Sequence, residues 1–168
     1  MPYATLRQFV DALHAAGELH RIDAPVSPLL EATEITDRVS KSPAPALSEH
    51  AKITDPRHYQ LGGKALLFTN VEGASMPLAM NLFGSYRRME MALGCEEGGF
   101  AAVADRLGEL AKPQPPVGVM EKIRKGLELA KVAGLGPKVV KAGECQQVVR
   151  TGDEVDLFAL PILKCWPL

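Results

Sequence analysis

Apolar positions early in the chain repeat with a helical period. Leu6, Phe9, Val10 and Leu13 fall at i, i+3, i+4 and i+7, which predicts a helix over 5–16 with one apolar stripe. Thr5 and Gln8 have the spacing of a capping box, and Gly17 suits the C-terminal stop. Glu18 to Ile22 then reads as a half-buried strand closed by Ala24 and Pro25. Ser27-Pro28 reads as a hydroxyl N-cap followed by proline at the first helical position, with Leu30, Ile35 and Val39 on the inner side of this second helix.

Between Lys41 and Gly63 the periodicity fades. Pro43, Pro45, Pro56 and the Gly62-Gly63 pair predict a loop with at most one short helical turn. Lys64 to Val71 reads as a buried strand. Pro77 to Phe83 is a second, and the polar link at Glu72-Gly73 suggests a hairpin or neighbouring strands of one sheet. Helices are expected over Tyr86–Leu93 and Phe100–Ala111.

The run Pro113-Gln-Pro-Pro116 is the clearest break. After it Met120, Ile123, Leu127 and Ala130 recur at helical spacing until Gly134-Leu-Gly136-Pro137. Cys145 to Arg150 alternates like a strand, Asp153 to Leu160 reads as a turn or short helical piece, and Pro161 to Trp166 reads as the start of another strand. The pattern predicts an α/β (α+β) domain over 1–112, a helical connector over 113–144, and the opening of a second domain over 145–168. The last ten residues are mainly large and apolar. A strand that enters a sheet there leaves backbone groups and apolar surface without partners, so the natural protein is expected to continue.

Composition narrows the function classes. Nineteen basic residues face twenty acidic ones, a balance that gives no general reason to expect nucleic acid or an anionic membrane as partner. Aromatics at 5% supply few base-stacking platforms. The hydrophobic fraction of 46% is enough for a sizeable core. Cys95, Cys145 and Cys165 are odd in number and form no C-x-x-C pair, which argues against a disulfide scaffold or structural zinc and for reduced thiols. The N-terminus lacks the basic and apolar regions of a signal peptide, and no apolar run is long enough to span a bilayer. The chain reads as soluble and cytoplasmic.

Several stretches resemble the UbiD family of decarboxylases. They are Leu6 to Asp23, Glu31 to Val39, Lys64 to Gly73, Met76 to Gly84 with Ser85 to Met89, and Asp156 to Pro167. The last holds Leu-Pro-Ile-Leu-Lys-Cys-Trp-Pro, the most distinctive piece. The resemblance covers the chain apart from the loops around 41–63 and 112–144.

It implies reversible non-oxidative decarboxylation of an aromatic or α,β-unsaturated carboxylic acid by the full-length protein. Prenylated FMN, a divalent metal (Mn or Mg) and K would serve as cofactors. Residues 145–168 would then be the first segment of a split-barrel flavin-binding domain. Quinone biosynthesis is the prominent branch of such activity and aromatic-acid catabolism the other. A homo-oligomer is implied, and a polyprenylated substrate would add peripheral membrane association. Loss of CO₂ leaves negative charge on an sp² carbon, which needs an electron sink and then an acid. In the family the metal and phosphate ligands (an Asn, a His and a Glu), the catalytic Arg and the acidic pair all follow the Cys-Trp-Pro stretch. No position here matches them, so no catalytic, cofactor-binding or metal-binding residue is assigned, and this chain alone is expected to be inactive. The contrasting reading is a stand-alone non-catalytic binding or assembly module.

Other candidates have plainer readings. His14, His20, His50 and His58 show no metal-ligand spacing and read as surface or half-buried histidines. Gly134-x-Gly136 with Lys138 lacks a full phosphate-loop fingerprint and reads as a helix stop. Segment 117–141 carries six basic and two acidic residues. An anion or nucleic-acid patch is one reading; the preferred one is the solvated face of an amphipathic helix with Met120, Ile123 and Leu127 packed inward, or a contact with the rest of the protein. Arg87 and Arg88 lie at a strand-to-helix junction that suits anions and could line a substrate cleft; the preferred reading is a capping turn with two solvated arginines. Cys165 and Trp166 read as a packed pair, since no Cys–His arrangement is legible.

Overall fold

The computed structural model describes residues 2–111, 118–133, 137, 139–143 and 146–167. They divide into two units, one of Met1–Asp105 with Asp156–Leu168 and one of Arg106–Val155.

The first unit is a mixed α+β structure around a three-stranded sheet of order β1-β2-β3, with β1 at Leu19–Ile22, β2 at Ala65–Phe68 and β3 at Leu78–Met80. Strand β1 runs parallel to β2, Leu19 opposite Ala65 and Ile22 opposite Phe68. Strand β3 is antiparallel to β2, Leu66 opposite Met80 and Phe68 opposite Leu78, as the short polar link suggested. The central strand is covered on both faces, which is why it reads as an unbroken apolar run instead of an alternation. Its successive side chains go to opposite clusters. Ala65 joins Phe9, Leu13, Leu19 and Met91 in one, with Leu67 packed against it. Leu66 and Phe68 join Val26, Ala32 and Val71 in the other.

Helix α1, Leu6–Ala15, starts and stops where its caps say it should. Thr5 Oγ1 accepts from Gln8 N at 3.2 Å, while the Gln8 side chain reaches back to Ala4 N rather than to Thr5 N. At the other end Gly17, at φ +74°, donates to His14 O, and Glu18 N donates to Leu13 O. This paired closure needs a left-handed residue, which glycine takes without a Cβ penalty. Phe9 and Leu13 are buried, but Leu6, at the outer end of the stripe, is exposed.

The second helix begins later than the Ser27-Pro28 signal predicts. Helix α2 is Glu31–Ser40, after Leu30 at φ +70°. Residues Pro28 to Leu30 are engaged with the C-terminal segment instead: Lys164 N donates to Pro28 O, and Leu30 N donates to Lys164 O. The bridge of Leu29 to Lys164, with these two backbone bonds, holds the residues out of the helix. Ile35 and Val39 do face the second core cluster, whereas Leu30 is exposed and Ala32 is the fully buried helix residue.

Helix α3, Glu49–Thr54, is the one helical piece within the 41–63 loop. Helices α4, Tyr86–Leu93, and α5, Gly99–Ala111, follow. Helix α6, Val119–Ala133, occupies the second unit. Two predicted strands do not form. Gln146–Arg150 is irregular, and Pro161–Trp166 contributes one isolated parallel bridge, Leu29 to Lys164. Residues 153–160 are short 3-10 turns at Gly152–Glu154 and Leu157–Ala159.

Candidate functional site

Polar groups withdrawn from solvent gather around one side chain, Arg88. Ser85 caps α4, its Oγ accepting from Arg88 N at 3.3 Å, and so turns Arg88 inward from the first turn. Arg88 Nη1 donates to Glu18 Oε2 at 2.9 Å and to Gly63 O at 2.5 Å, and Nη2 donates to Gly62 O at 2.8 Å. Side-chain exposure is 0% for Arg88 and 1% for Glu18. Burial lowers the Arg88 pKa, and the Glu18 carboxylate opposes that shift by hydrogen bond and charge.

Glycine makes this convergence possible. A Cβ at Gly62 would stand 2.1 Å from Gly84 O, and one at Gly63 would stand 2.0 Å from Val39 O. Both glycine N–H groups donate to Ser42 O, at 3.1 and 3.0 Å. Asn81, at φ +55°, donates from Nδ2 to Gly62 O at 2.7 Å and to Lys64 O at 2.8 Å. The node thus fastens the end of α1, the base of the 41–63 loop, the residue after β3 and the start of α4 to one another.

Arg88 was expected to be solvated and is not. Its partners lie far away in sequence, so no local pattern announces them. Glu18 was likewise missed: it directly precedes β1, where a charged residue reads as a solvent-facing position. The only sequence signals were the Gly62-Gly63 pair and the glycine stop at Gly17. Arg87 stays near the surface, 3.9 Å from Glu96.

A second buried pair lies nearby in the first unit. Ser48 Oγ, the N-cap of α3, donates to Glu90 Oε1 at 2.5 Å while accepting from Ala51 N. A third cluster is more open: Tyr86 Oη donates to Asp55 Oδ2 at 2.8 Å, and His58 Nδ1 lies 3.1 Å from Asp55 Oδ1. The tyrosine hydrogen bond, and then His58, hold the Asp55 carboxyl below the usual carboxylate range, and Asp55 in turn raises the Tyr86 hydroxyl.

An open cleft of about 330 Å³ lies beside the node, walled by His20, Val39, Ser42, Pro43, Lys64 and Leu66. His20 and Lys64 are its exposed polar groups. Arg88 has no exposed surface with which to meet a ligand there. The group with the strongest charge and the most donors is therefore scaffold, and the cleft offers a shape lined by an imidazole and an ammonium group but no nucleophile–base pair.

Among the other sequence candidates, His14 and His58 are exposed and His50 is half-buried. Cys165 and Trp166 are exposed rather than a packed pair; the Cys165 Sγ accepts a 3.8 Å contact from Thr33 Oγ1. Met120, Ile123 and Leu127 are exposed too, not packed inward. Gly134, Gly136, Lys138 and Cys145 fall outside the described residues. Among the described residues no three His, Cys, Asp or Glu side chains converge as a metal-holding set, and no helix is long and apolar enough to cross a membrane. They do not fit a divalent metal.

Comparison with known proteins adds three findings. Residues 10–51 and 48–110 match the family described as the 3-octaprenyl-4-hydroxybenzoate carboxy-lyase N-terminal domain. An uncharacterized protein of Aquifex aeolicus (strain VF5) is 43% identical over 165 residues, covering 98% of this chain and 30% of that protein. The chain thus spans under a third of that relative's length. Among solved structures, the UbiD-class enzyme HmfF from Pelotomaculum thermopropionicum, in complex with FMN, is 23% identical. The match covers 66% of this chain and 20% of HmfF at a TM-score of 0.42.

Proposed function

This chain belongs to the UbiD family as its N-terminal domain, and we propose that the complete protein is a carboxy-lyase that reversibly decarboxylates an aromatic or α,β-unsaturated acid. The observation that carries the reading is the family match over residues 10–51 and 48–110, whose description names a carboxy-lyase. The span of 30% of a 43%-identical relative supports the view that the machinery lies outside these residues. The complete enzyme would use prenylated FMN with Mn or Mg, and K, and would act as a homo-oligomer in the cytoplasm. Its substrate would be a quinone precursor or a catabolic aromatic acid. Residues 145–168 would lead into the split-barrel flavin domain.

In this reading the role of residues 1–168 is scaffolding. Arg88, Glu18 and the Gly62-Gly63 turn hold the domain rigid, so that one surface can shape a neighbouring active-site cavity. CO₂ release from aromatic acids tests it, with the 168-residue chain and the complete protein each supplied with prenylated FMN, Mn²⁺ and K⁺. The complete protein turns over, and the shorter chain neither turns over nor retains flavin on gel filtration. Turnover or tightly held flavin with the 168-residue chain alone would overturn the scaffold assignment. An inactive complete protein would overturn the decarboxylase.

A further inference from the structure

Leu30 stands at φ +70° and ψ −36°, and around it Glu31 N donates to Leu29 O at 2.9 Å. Such a γ-turn is of the rare, strained hand, and a Cβ adds to its cost. Among the described residues the other non-glycine with positive φ is Asn81, a residue type that tolerates left-handed backbone. Leucine has no such tolerance, and Leu30 is held from outside. Lys164 N donates to Pro28 O at 3.1 Å, and Leu30 N donates to Lys164 O at 2.9 Å. Leu163 packs against the second core cluster, and Thr33 Oγ1 contacts Cys165 Sγ at 3.8 Å. The parts of an earlier helix start are nevertheless already assembled. Ser27 Oγ accepts from Leu29 N at 3.2 Å, and Glu31 Oε2 accepts from Ser27 N at 2.7 Å. These are the two halves of a reciprocal cap at Ser27, with proline in the first helical position, where its missing N–H costs nothing.

We propose that residues 27–30 are a two-state element: a strained turn while residues 163–165 are docked, and the first turn of a longer α2 when that segment is displaced. The backbone bonds exchange one for another. Pro28 O gives up Lys164 N and accepts Ala32 N, while Ser27 O gives up Ala32 N, now at 3.2 Å, and accepts Glu31 N. Leu30 N loses Lys164 O and becomes the third helical N–H, within reach of the Ser27 hydroxyl. Leu30 itself moves to negative φ. The helix gains Pro28 to Leu30, about 4.5 Å at 1.5 Å per residue. Both arrangements satisfy the backbone, so the balance is set by strain at Leu30 against burial of Leu163. Leu29 and Leu30 are exposed, so the turn rewinds without opening the core. A load that lifts residues 163–165 is thereby converted into nearly one more turn of α2. The device does not depend on the decarboxylase reading.

NMR of the 168-residue chain tests it, through the Cα shifts of Leu29 and Leu30 and the hydrogen exchange of the Lys164 amide. Leu163→Asp with Lys164→Pro removes the packed side chain and the N–H that reaches Pro28 O. In that double variant the Cα shifts of Leu29 and Leu30 move to helical values. Leu30→Gly acts in the opposite direction, because glycine accepts positive φ and is a poor helix former. It slows exchange at Lys164 by about tenfold. Leu30→Ala keeps a Cβ and leaves that exchange within about twofold of the parent chain, which separates strain from loss of the leucine side chain. Leu29 and Leu30 shifts that stay non-helical in the double variant overturn the proposal. So does Lys164 exchange that Leu30→Gly leaves unchanged or speeds, or that Leu30→Ala slows as much as Leu30→Gly does. Should the double variant not fold, the two Leu30 variants decide alone.

Discussion

Glu18 and Arg88 stand 70 residues apart in the chain, yet their side chains meet at 2.9 Å with neither open to solvent. An ion pair so buried contributes little net stability when intact, because desolvation offsets the attraction. Breaking it is another matter. Arg88→Met leaves the Glu18 carboxylate without its cation and the Gly63 carbonyl without its side-chain donor, while Gly62 O keeps Asn81 Nδ2, and should destabilise the domain by about 3–5 kcal/mol. Glu18→Gln keeps a hydrogen-bonding side chain and should cost less. Urea unfolding followed by circular dichroism measures both, and equal midpoints for Arg88→Met and the parent would contradict the clamp.

Two glycines separate steric from conformational cost. Gly62 and Gly73 both have positive φ, +121° and +76°, but only Gly62 has backbone where a Cβ would go. Gly73→Ala should cost about 1–2 kcal/mol, the left-handed penalty alone. Gly62→Ala must also displace Gly84 O from 2.1 Å, and should exceed that cost or yield no soluble folded protein. Matched thermal melts distinguish the two positions.

The Tyr86–Asp55–His58 cluster predicts an acid-side pH dependence. The Asp55 carboxyl is held below its ordinary value, by Tyr86 first and His58 second. Its contribution to stability is therefore complete above the unfolded carboxylate pKa of about 4 and is lost as pH falls through the lower folded value. Asp55→Asn should be less stable than the parent at neutral pH, and the gap should narrow below about pH 4. Tyr86→Phe should bring the Asp55 titration back toward the ordinary range, followed by carboxyl carbon NMR. A gap that widens toward acid would reverse the assigned sign.

Thiol reactivity should divide sharply. Cys95 is buried, and desolvation, with the nearby Glu90 and Glu96 carboxylates, pushes its pKa up, whereas Cys165 is exposed. The thiolate is the reactive form. Pulsed alkylation at pH 8 with peptide mapping should label Cys165 at least about tenfold faster than Cys95, and denaturant should abolish the difference. Comparable rates in the folded chain would mean that Cys95 is not enclosed.

Local chemistry alone settled a good part of this fold. Thr5, Gly17, Ser85 and Gly94 mark helix ends through groups within a turn of themselves, and α1 and α4 begin and end accordingly. The apolar run at 65–68 and the turn at Gly73 specified the β2–β3 pairing, because period and turn residues act over short range. Only the tertiary structure decided that α2 starts at Glu31, since the competitor for its first turn is Lys164, far along the chain. The same holds for Arg88, a charge at a helix start that looks solvated until Glu18, Gly62 and Gly63 are folded around it. Capping and periodicity are properties of neighbours, and so are written in order along the chain. Burial of a charge depends on which distant groups arrive to satisfy it, and that is fixed only when the sheet brings them together.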